Sequence, residues 1–343
     1  MLHIDGSFGE GGGQILRTSL SLSVLTGQVI EIFNIRAKRK NSGLQKQHLV
    51  CVEAAQKISG AKTSGAFLNS NFLRFKPKDI RPGKYEFDIG TAGSTTLVAQ
   101  TILLPLVYSH RPSEILIIGG THNPLAPPFH YFNEVFLKIL KNLNLKVKVN
   151  LEKWGFFPKG GGRIRLFIEP SEIKTKNFLE RGELKNVTGL SAVANLPISI
   201  ALRQKESLIK KIKQNNLSLR GKPEPEIKIE EVKTLSPGTF LFLKLIFENN
   251  LIAGFSSLGK IGKTAERVGE EVAEEFKEYW LSEKALHHYL ADQIILYLSL
   301  SKKPFAFTTS KITNHLLTHI WLLEKFLNLK ISINSEKKEI SLK

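Results

Sequence analysis

The order of predicted helices and strands is repeated along the chain, and this self-similarity limits the possible folds more than any other feature. A short strand, a glycine-rich loop, a helix and a strand are followed by a polar loop, a second helix and a strand pair. The pattern begins at residue 2, begins again at residue 85, and its last part recurs at the end of the chain. We therefore expect an α/β (α+β) fold of three repeated two-helix, four-strand units around a pseudo-threefold axis.

Hydrophobic periodicity and turn residues place the elements of each unit. The predicted helices, two for each unit, cover residues 13–25, 42–59, 94–108, 127–143, 283–300 and 313–327. The predicted strands of the units cover residues 2–4, 29–35, 72–75, 85–89, 114–118, 146–151, 163–168, 305–308, 330–334 and 339–342, with a further strand near Phe67.

The third unit is interrupted by a segment of about the size of a small domain. Within residues 180–277, strands are predicted at 189–194, 226–232, 239–247 and 251–255, and helices at 198–214 and 264–279. The approach to this segment is charged, as domain borders often are. We expect a large catalytic domain of residues 1–179 plus 278–343 and an inserted small α+β domain of residues 180–277.

The charge of the chain indicates a polyanionic partner. Its 343 residues carry 49 Lys and Arg against 31 Asp and Glu, and residues 1–165 hold 22 of the basic and 10 of the acidic ones. Such an uneven excess favours a phosphate-rich partner over a uniformly lysine-rich surface. A single cysteine excludes an intrachain disulfide, and neither a secretory signal nor a bilayer-length apolar stretch is visible. We expect a soluble, cytoplasmic protein without a membrane partner.

Residues 9–14, Gly-Glu-Gly-Gly-Gly-Gln, follow a predicted strand and open a helix. Glycines let backbone N–H groups approach an anion, and the start of a helix adds positive potential. Glu10 would repel a phosphate unless a divalent cation lay between them, which assigns Glu10 to a metal. A tight turn without a ligand is the alternative.

The next two loop-to-helix junctions also contain candidate binding residues. Five basic residues between Arg36 and Lys46 precede Gln47 and His48, which suits phosphodiester binding, although a solvated loop has the same composition. Aromatic residues and prolines at 119–131 are typical of a wall for a nucleobase and equally of helix-start packing.

The last junction contains His315 and His319, which face one way on a helix. Such a pair can bind a metal, but no third ligand is nearby in sequence, and a hydrogen-bonded structural histidine is the common alternative. The remaining interpretation is a chemical role for His315. Asp292 and Gln293 interrupt an otherwise apolar helix, so Asp292 is either a site residue or a simple polar cap.

Two glycine-rich stretches imitate a phosphate-binding P-loop. Residues 254–261 have the spacing but end in Ile261, and residues 257–264 have the threonine but lack the first glycine. Neither is complete, so a P-loop NTPase is only an alternative.

Taken together, four motifs make the sequence resemble the RNA 3′-terminal phosphate cyclase family over nearly the whole chain. They are the glycine-rich opening at 9–14, the Gly-Phe-Phe-Pro-Lys-Gly-Gly-Gly run at 155–162, Tyr-Leu-Ala-Asp-Gln at 289–293, and Asn-His-Leu-Leu-Thr at 314–318. Each motif is weak alone. The family architecture, three α/β units with a smaller module inserted in the third, is similar to the arrangement predicted above.

The resemblance implies a ligase that converts an RNA 3′-phosphate to a 2′,3′-cyclic phosphodiester with ATP and Mg²⁺ or Mn²⁺. It implies that His315 attacks the ATP α-phosphorus and holds AMP as a phosphoramidate. AMP then passes to the RNA 3′-phosphate, giving an RNA-(3′)pp(5′)A anhydride, and the neighbouring 2′-OH closes the ring as AMP leaves. Imidazole is a good nucleophile when neutral and a good leaving group when protonated.

The resemblance also assigns the other site residues, with Glu10 as the metal ligand. The residues implied to surround the adenosine are Gln100, Pro127, Tyr131, Tyr289, Asp292 and Gln293, with Asp292 close enough to orient His315. The residues implied to bind the triphosphate and the RNA 3′-phosphate are Gln14, Arg17, Arg36, Arg39, Gln47 and His48. Which of these serve ATP and which serve RNA is left open, as is a homo-oligomeric state.

Two positions depart from the common family pattern: Trp154 stands where His or Arg is frequent, and Asn314 where bacterial relatives often have Cys. Neither touches the implied chemistry. The alternatives are a non-catalytic cyclase-like ribosome-assembly factor and a sugar-nucleotide or phosphoenolpyruvate transferase with a similar repeated unit. The presence of His315 with Glu10 and Asp292 opposes the first, and the His315 helix and inserted segment oppose the second.

Overall fold

The structure, a computed structural model, describes residues 1–215 and 225–343. It is a mixed α/β protein, as predicted, and the strands of the described residues form four sheets. No helix in the described ranges is long and apolar enough to cross a membrane.

The first two sheets share one strand order. The first consists of β1 (Leu2–Asp5), β2 (Ile30–Phe33), β3 (Lys62–Ser64) and β4 (Leu73–Lys76), in the order β1-β2-β4-β3. The second consists of β5 (Lys84–Asp88), β6 (Ser113–Gly119), β7 (Lys146–Lys153) and β8 (Gly162–Glu169), in the order β5-β6-β8-β7. In each, the first two strands are parallel and the remaining pairs are antiparallel.

The next part of the chain has its own sheet, β10-β9-β11-β12. Its strands are β9 (Leu184–Ala194), β10 (Glu226–Val232), β11 (Gly238–Phe247) and β12 (Ile252–Leu258). The last sheet is antiparallel, β13-β15-β14, built from β13 (Phe305–Thr308), β14 (Ser332–Asn334) and β15 (Glu339–Leu342). The pseudo-threefold arrangement and the domain boundaries stay predictions, to which the shared strand order and the separate β9–β12 sheet lend support.

The helices position the residues of the candidate site. Those of the repeated pattern are α1 (Gly13–Thr26), α2 (Lys46–Ser59), α3 (Thr95–Val107), α4 (Phe129–Tyr131), α5 (Leu137–Asn142), α8 (His288–Leu300) and α9 (Asn314–Leu327). The other two, α6 (Ile198–Gln214) and α7 (Ala265–Ser282), pack on each other and on the β9–β12 sheet. Helix α1 contacts α2, α3 and α9. Most residues of α1 and α3 are buried, as expected of helices inside a core.

Besides β9, which begins at Leu184 rather than at residue 189, four elements differ clearly from the prediction. The strand expected near Phe67 lies at β3 instead, and Phe67 is an exposed turn residue. Helix α2 begins at Lys46, because the preceding residues run extended and Leu44 donates a backbone hydrogen bond to Ser70. The helix expected at 127–143 begins only after Pro128 and contains a π-helical turn at Phe132–Phe136.

The fourth difference concerns the helix expected at 283–300. Helix α7 continues to Ser282, and Glu283 ends it in a left-handed conformation with φ of 55°. Leu286 then pairs with Thr309 in a parallel bridge, so the next helix, α8, begins only at His288.

Candidate active site

The side chain of Gln14 contacts His315 at two points, across 301 residues of sequence. Gln14 stands at the start of α1 and His315 at the start of α9. Gln14 Nε2 donates to the backbone carbonyl of His315 at 2.8 Å, and Gln14 Oε1 contacts His315 Nδ1. Because a carbonyl can only accept, the first bond fixes the orientation of the amide. The amide oxygen therefore accepts from Nδ1–H, and the lone pair of the neutral imidazole is on Nε2.

His315 Nε2 points toward the glycine-rich loop. It lies 3.2 Å from Glu10 Oε2, which also lies 3.2 Å from a guanidinium nitrogen of Arg39. Burial lowers the pKa of His315, Arg17 and Arg39 lower it further, and Glu10 opposes them. The contact with Glu10 is an ion pair only when the imidazole is protonated, so the lowered pKa favours neutral His315 with an available Nε2 lone pair.

Basic side chains contact the glycine-rich loop of residues 9–14. Lys38 Nζ donates to the backbone oxygen of Gly9 at 2.9 Å. At Gly13, an added Cβ would lie 2.4 Å from His48 Nε2 and 2.8 Å from Arg17 Nη1. A side chain at residue 13 would therefore have to displace one of these two groups.

Arg17 and Arg36 differ in how their guanidinium groups are used. Arg17 has no hydrogen-bond or ion-pair partner within residues 1–215 and 225–343, and burial lowers its pKa. Arg36 donates to the backbone oxygens of Asn41 and, at 2.9 Å, of Gly43. Arg17 is thus available to an anion, whereas Arg36 holds the loop that leads into α2.

His48 and Gln47 have structural partners at the start of α2. His48 Nδ1 accepts the backbone N–H of Gln45 at 3.3 Å, and burial lowers the pKa of His48 to about 3. Gln47 Oε1 accepts the backbone N–H of Ser94 at 2.6 Å, at the cap of α3. Gln47 therefore ties the basic junction to the loop of residues 90–94 that leads into α3.

The residues assigned to adenosine lie on α3, α8 and the segment around α4. Gln100 donates to Gln293 Oε1 at 3.1 Å, which joins α3 to α8. The carbonyl of Pro127 accepts from Thr96 Oγ1 at 2.6 Å. The Tyr131 hydroxyl is buried and has no partner among the described residues, while Tyr289 on α8 is 48% exposed.

Asp292 braces the helix that carries His315. Its carboxylate accepts from Thr313 Oγ1 at 2.7 Å, and Thr313 caps α9 by accepting from the N–H of Leu316. Burial raises the pKa of Asp292 to about 7. The orientation of His315 by Asp292 stays a prediction: the carboxylate reaches the start of α9 through Thr313, whereas Gln14 contacts the imidazole itself.

His319 is an internal support in this structure. Its Nδ1 donates to the backbone oxygen of Asp292, and its Nε2 accepts from Thr18 Oγ1 at 3.0 Å. Both ring nitrogens are occupied, so the arrangement favours the structural interpretation of the His315/His319 pair over the metal interpretation.

Neither of the two P-loop-like stretches has the side chains of a P-loop in position. Lys263 Nζ pairs with Glu271 and donates to Ser257 Oγ and to the carbonyl of Leu258. Ile261, in the place of the metal-binding hydroxyl, is fully exposed. Residues 257–264 thus have a lysine that a carboxylate neutralises, and residues 254–261 lack the metal-binding hydroxyl.

The structure thus brings Glu10, Gln14, Arg17, Arg39, His48 and His315 to one place. Thr313 connects this group to Asp292, Gln293 and Gln100. Sequence reasoning missed Thr313 and Thr18 as site supports. The signal for Thr313 was its position as a helix N-cap, and nothing in the sequence indicates the contact of Thr18 with His319.

Comparisons with known proteins agree on one family. Residues 8–333 match the family model of RNA 3′-terminal phosphate cyclase. Proteins of that name are similar to this chain in Sulfurisphaera tokodaii (42% identity, 98% of this chain and 97% of that protein), Koribacter versatilis (41%, 98% and 93%) and Archaeoglobus fulgidus (40%, 98% and 99%). The chain is therefore an enzyme that belongs to the RNA 3′-terminal phosphate cyclase family.

Proposed function

We propose that the protein converts an RNA 3′-phosphate to a 2′,3′-cyclic phosphodiester with ATP as co-substrate, through AMP bound covalently to Nε2 of His315. One observation carries the choice of atom: Gln14 accepts from Nδ1 and so leaves the lone pair on Nε2. The comparisons support the general activity, since the similar proteins bear the name of this cyclase.

The proposed reaction has three displacements at phosphorus. In the first, the Nε2 lone pair forms a bond to the α-phosphorus of ATP while the bond to pyrophosphate breaks. In the second, an oxygen of the RNA 3′-phosphate attacks that phosphorus, the N–P bond breaks, and an RNA-(3′)pp(5′)A anhydride forms. In the third, the 2′-oxygen attacks the 3′-phosphorus, releases its proton, and expels AMP.

The basic residues around the glycine-rich loop supply the positive charge that such displacements require. Arg17 lacks a partner within the described ranges and Arg39 has only the exposed Glu10 contact, so both are free to pair with phosphate oxygens. His48 stays neutral at physiological pH because its pKa is about 3, and it therefore acts as a hydrogen-bonding group rather than as a cation. We place Gln14, Arg17, Arg36, Arg39, Gln47 and His48 in the phosphate-binding part of the site.

The adenosine is proposed to lie near α8 and α3, among Gln100, Pro127, Tyr131, Tyr289, Asp292 and Gln293. The partly exposed ring of Tyr289 offers a stacking surface, and the Tyr131 hydroxyl, which has no partner in residues 1–215 and 225–343, offers a polar contact. The amides of Gln100 and Gln293 already orient each other.

A divalent cation fits the glycine-rich loop. Glu10 presents a partly exposed carboxylate, a hard oxygen ligand of the kind that Mg²⁺ and Mn²⁺ take together with substrate phosphates. When bound, such an ion would offset the negative charge of the triphosphate. We therefore propose Glu10 as its protein ligand.

The activity is tested by incubating a 3′-phosphate oligoribonucleotide with the protein, ATP and Mg²⁺ or Mn²⁺. The proposal predicts that the RNA end becomes resistant to phosphatase only with ATP, and that His315→Ala abolishes the conversion. An oligoribonucleotide with a 3′-hydroxyl is the matched substrate control and should remain unchanged. If the folded protein fails to convert the RNA under any metal, the non-catalytic assembly-factor alternative takes its place.

A further inference from the structure

A second cluster of metal-ligating side chains, none of them assigned to the proposed active site, borders its adenosine part at Tyr289. Glu275 on α7, His287 at the cap of α8 and His288 at its first residue each offer a donor atom, and these atoms lie within 4.8 Å of one another. Among the described residues, no other set of three or more His, Cys, Asp or Glu side chains has this arrangement.

The cluster is buried and its hydrogen bonding is incomplete. His287 is 2% exposed, and its Nδ1 has no partner among the described residues. Its Nε2 lies 3.7 Å from Glu275 Oε1, too far for a hydrogen bond. A buried imidazole nitrogen without a partner is unfavourable, so His287 points to a ligand that completes its bonding.

The remaining donors are positioned from different elements. His288 Nδ1 lies 3.3 Å from Ser310 Oγ, which also accepts the backbone N–H of His288 at 3.0 Å. The Glu275 side chain, 21% exposed, faces the imidazole of His287. A divalent cation bound between them would pair with this largely buried carboxylate.

We propose that Glu275, His287 and His288 form a zinc-binding site. Two imidazole nitrogens and one carboxylate oxygen are a donor set that Zn²⁺ takes in proteins, with the fourth position left to water or another ligand. The donor atoms of a tetrahedral zinc site lie roughly 3.3 Å apart, given bond lengths of about 2.0–2.1 Å. Side-chain rotation that draws the three donors together is therefore part of binding.

The location of this zinc site connects two parts of the protein. It joins α7, which packs on the β9–β12 sheet, to the start of α8. The ring of Tyr289 lies 5.1 Å from that of His287 and 4.3 Å from that of His288. An ion here would restrain Tyr289 and so tighten ATP binding, a consequence that rests on the proposed function, whereas the zinc site itself does not.

The test measures metal binding on tag-free, chelator-treated protein that carries Glu10→Gln and His315→Ala, which disables the proposed catalytic site. Co²⁺ is the probe, because tetrahedral Co²⁺ absorbs visible light and Zn²⁺ displaces it. We expect one Co²⁺ per chain with this absorption, and a rise in the unfolding temperature with Zn²⁺. Glu275→Gln and His288→Gln should each weaken binding by at least about tenfold.

Glu274→Gln is the matched control. Glu274 is an exposed carboxylate on the same helix, paired with Arg267, and its substitution should leave Co²⁺ binding unchanged. Equal binding by the parent protein and by the Glu275→Gln/His288→Gln double variant overturns the proposal. A folded parent protein that shows neither the absorption nor the zinc-dependent temperature shift overturns it as well, and this outcome does not depend on whether the variants fold.

Discussion

Gln14 holds His315 by its ring and by its backbone at once. One amide group accepts from Nδ1 and donates to the carbonyl of the same residue, so the ring tautomer and the position of the helix start are set together. The chemistry proposed for Nε2 therefore depends on a residue at the far end of the sequence.

Gln14→Ala should slow adenylation of His315 by about 10- to 100-fold, since the imidazole loses the acceptor that fixes its tautomer and orientation. The measurement is the single-turnover rate of AMP transfer to the protein. Gln28→Ala is the matched control, because Gln28, just after α1, donates from Nε2 to the carbonyl of Phe326 in the last turn of α9 at 2.9 Å, at the opposite end of the same helix pair. Equal slowing in both variants would show that only helix packing matters.

Gly13→Ala should disrupt the phosphate-binding group. The new Cβ would lie 2.4 Å from His48 Nε2, so His48 or Arg17 must move, at a cost of about 1–3 kcal/mol in the free energy of unfolding. We expect the KM for ATP to rise and the adenylation rate to fall.

The control for Gly13→Ala is Gly27→Ala, at the other end of α1. Gly27 is left-handed with φ of 71° and meets no atom within 4 Å, so this substitution strains the backbone without touching the site. It should reduce stability by about 1 kcal/mol and leave adenylation unchanged. Normal ATP binding by folded Gly13→Ala protein would contradict the packing argument.

Because of Asp292, the free energy of unfolding should depend on pH in a specific way. Its pKa is raised from 3.8 to about 7 in the folded protein, so between these values the folded state keeps a proton that the unfolded state releases. This contribution to stability is complete below about pH 4 and is lost as pH rises through 7. Between pH 5 and pH 7 the loss is on the order of 2 kcal/mol.

Asp292→Asn removes this titration while it keeps an acceptor for Thr313. The measurement is the free energy of unfolding at several pH values in both proteins, and the difference between the two isolates Asp292 from the buried histidines. Wild type should lose more stability than the variant as pH rises from 5 to 7. A difference that does not vary with pH would show that Asp292 is ionised throughout.

Thr313→Val should affect both stability and activity. It removes the cap of α9, worth about 1 kcal/mol, and the hydrogen bond that Asp292 accepts. Thr264→Val is the matched control, because Thr264 caps α7 in the same way by accepting from the N–H of Arg267. Thr313→Val should lose more stability than Thr264→Val, because it also leaves Asp292 without this donor, and only Thr313→Val should adenylate slowly. Equal adenylation rates in the two variants would show that the hydrogen bond between Thr313 and Asp292 does not support the reaction at His315.

The sequence predicts which residues form the site better than it predicts the contacts between them. His315, Glu10 and Gln14 stand in recognisable motifs, and the repeated pattern of strands and helices is visible from periodicity. The bond between Asp292 and Thr313 and the contact of Thr18 with His319 depend on how α8, α9 and α1 pack, which local sequence does not encode.

Element ends were the weakest part of the prediction for a related reason. The start of α8 at His288 follows the bridge of Leu286 with Thr309, a residue just after β13 in another part of the chain. The zinc ligands illustrate the same limit, since Glu275 and His287 are brought together only by the turn between α7 and α8.

The most direct test of the central claim is the transfer of label from ATP to His315. The protein is incubated with ATP labelled at the α-phosphate and Mg²⁺ or Mn²⁺, then analysed by denaturing electrophoresis. His3→Ala is the control, since His3 is an exposed histidine on β1. The account predicts acid-labile label on wild type and His3→Ala, none on His315→Ala, and its discharge by RNA with a 3′-phosphate. Label that persists on His315→Ala, or a folded wild type that takes none, would contradict it.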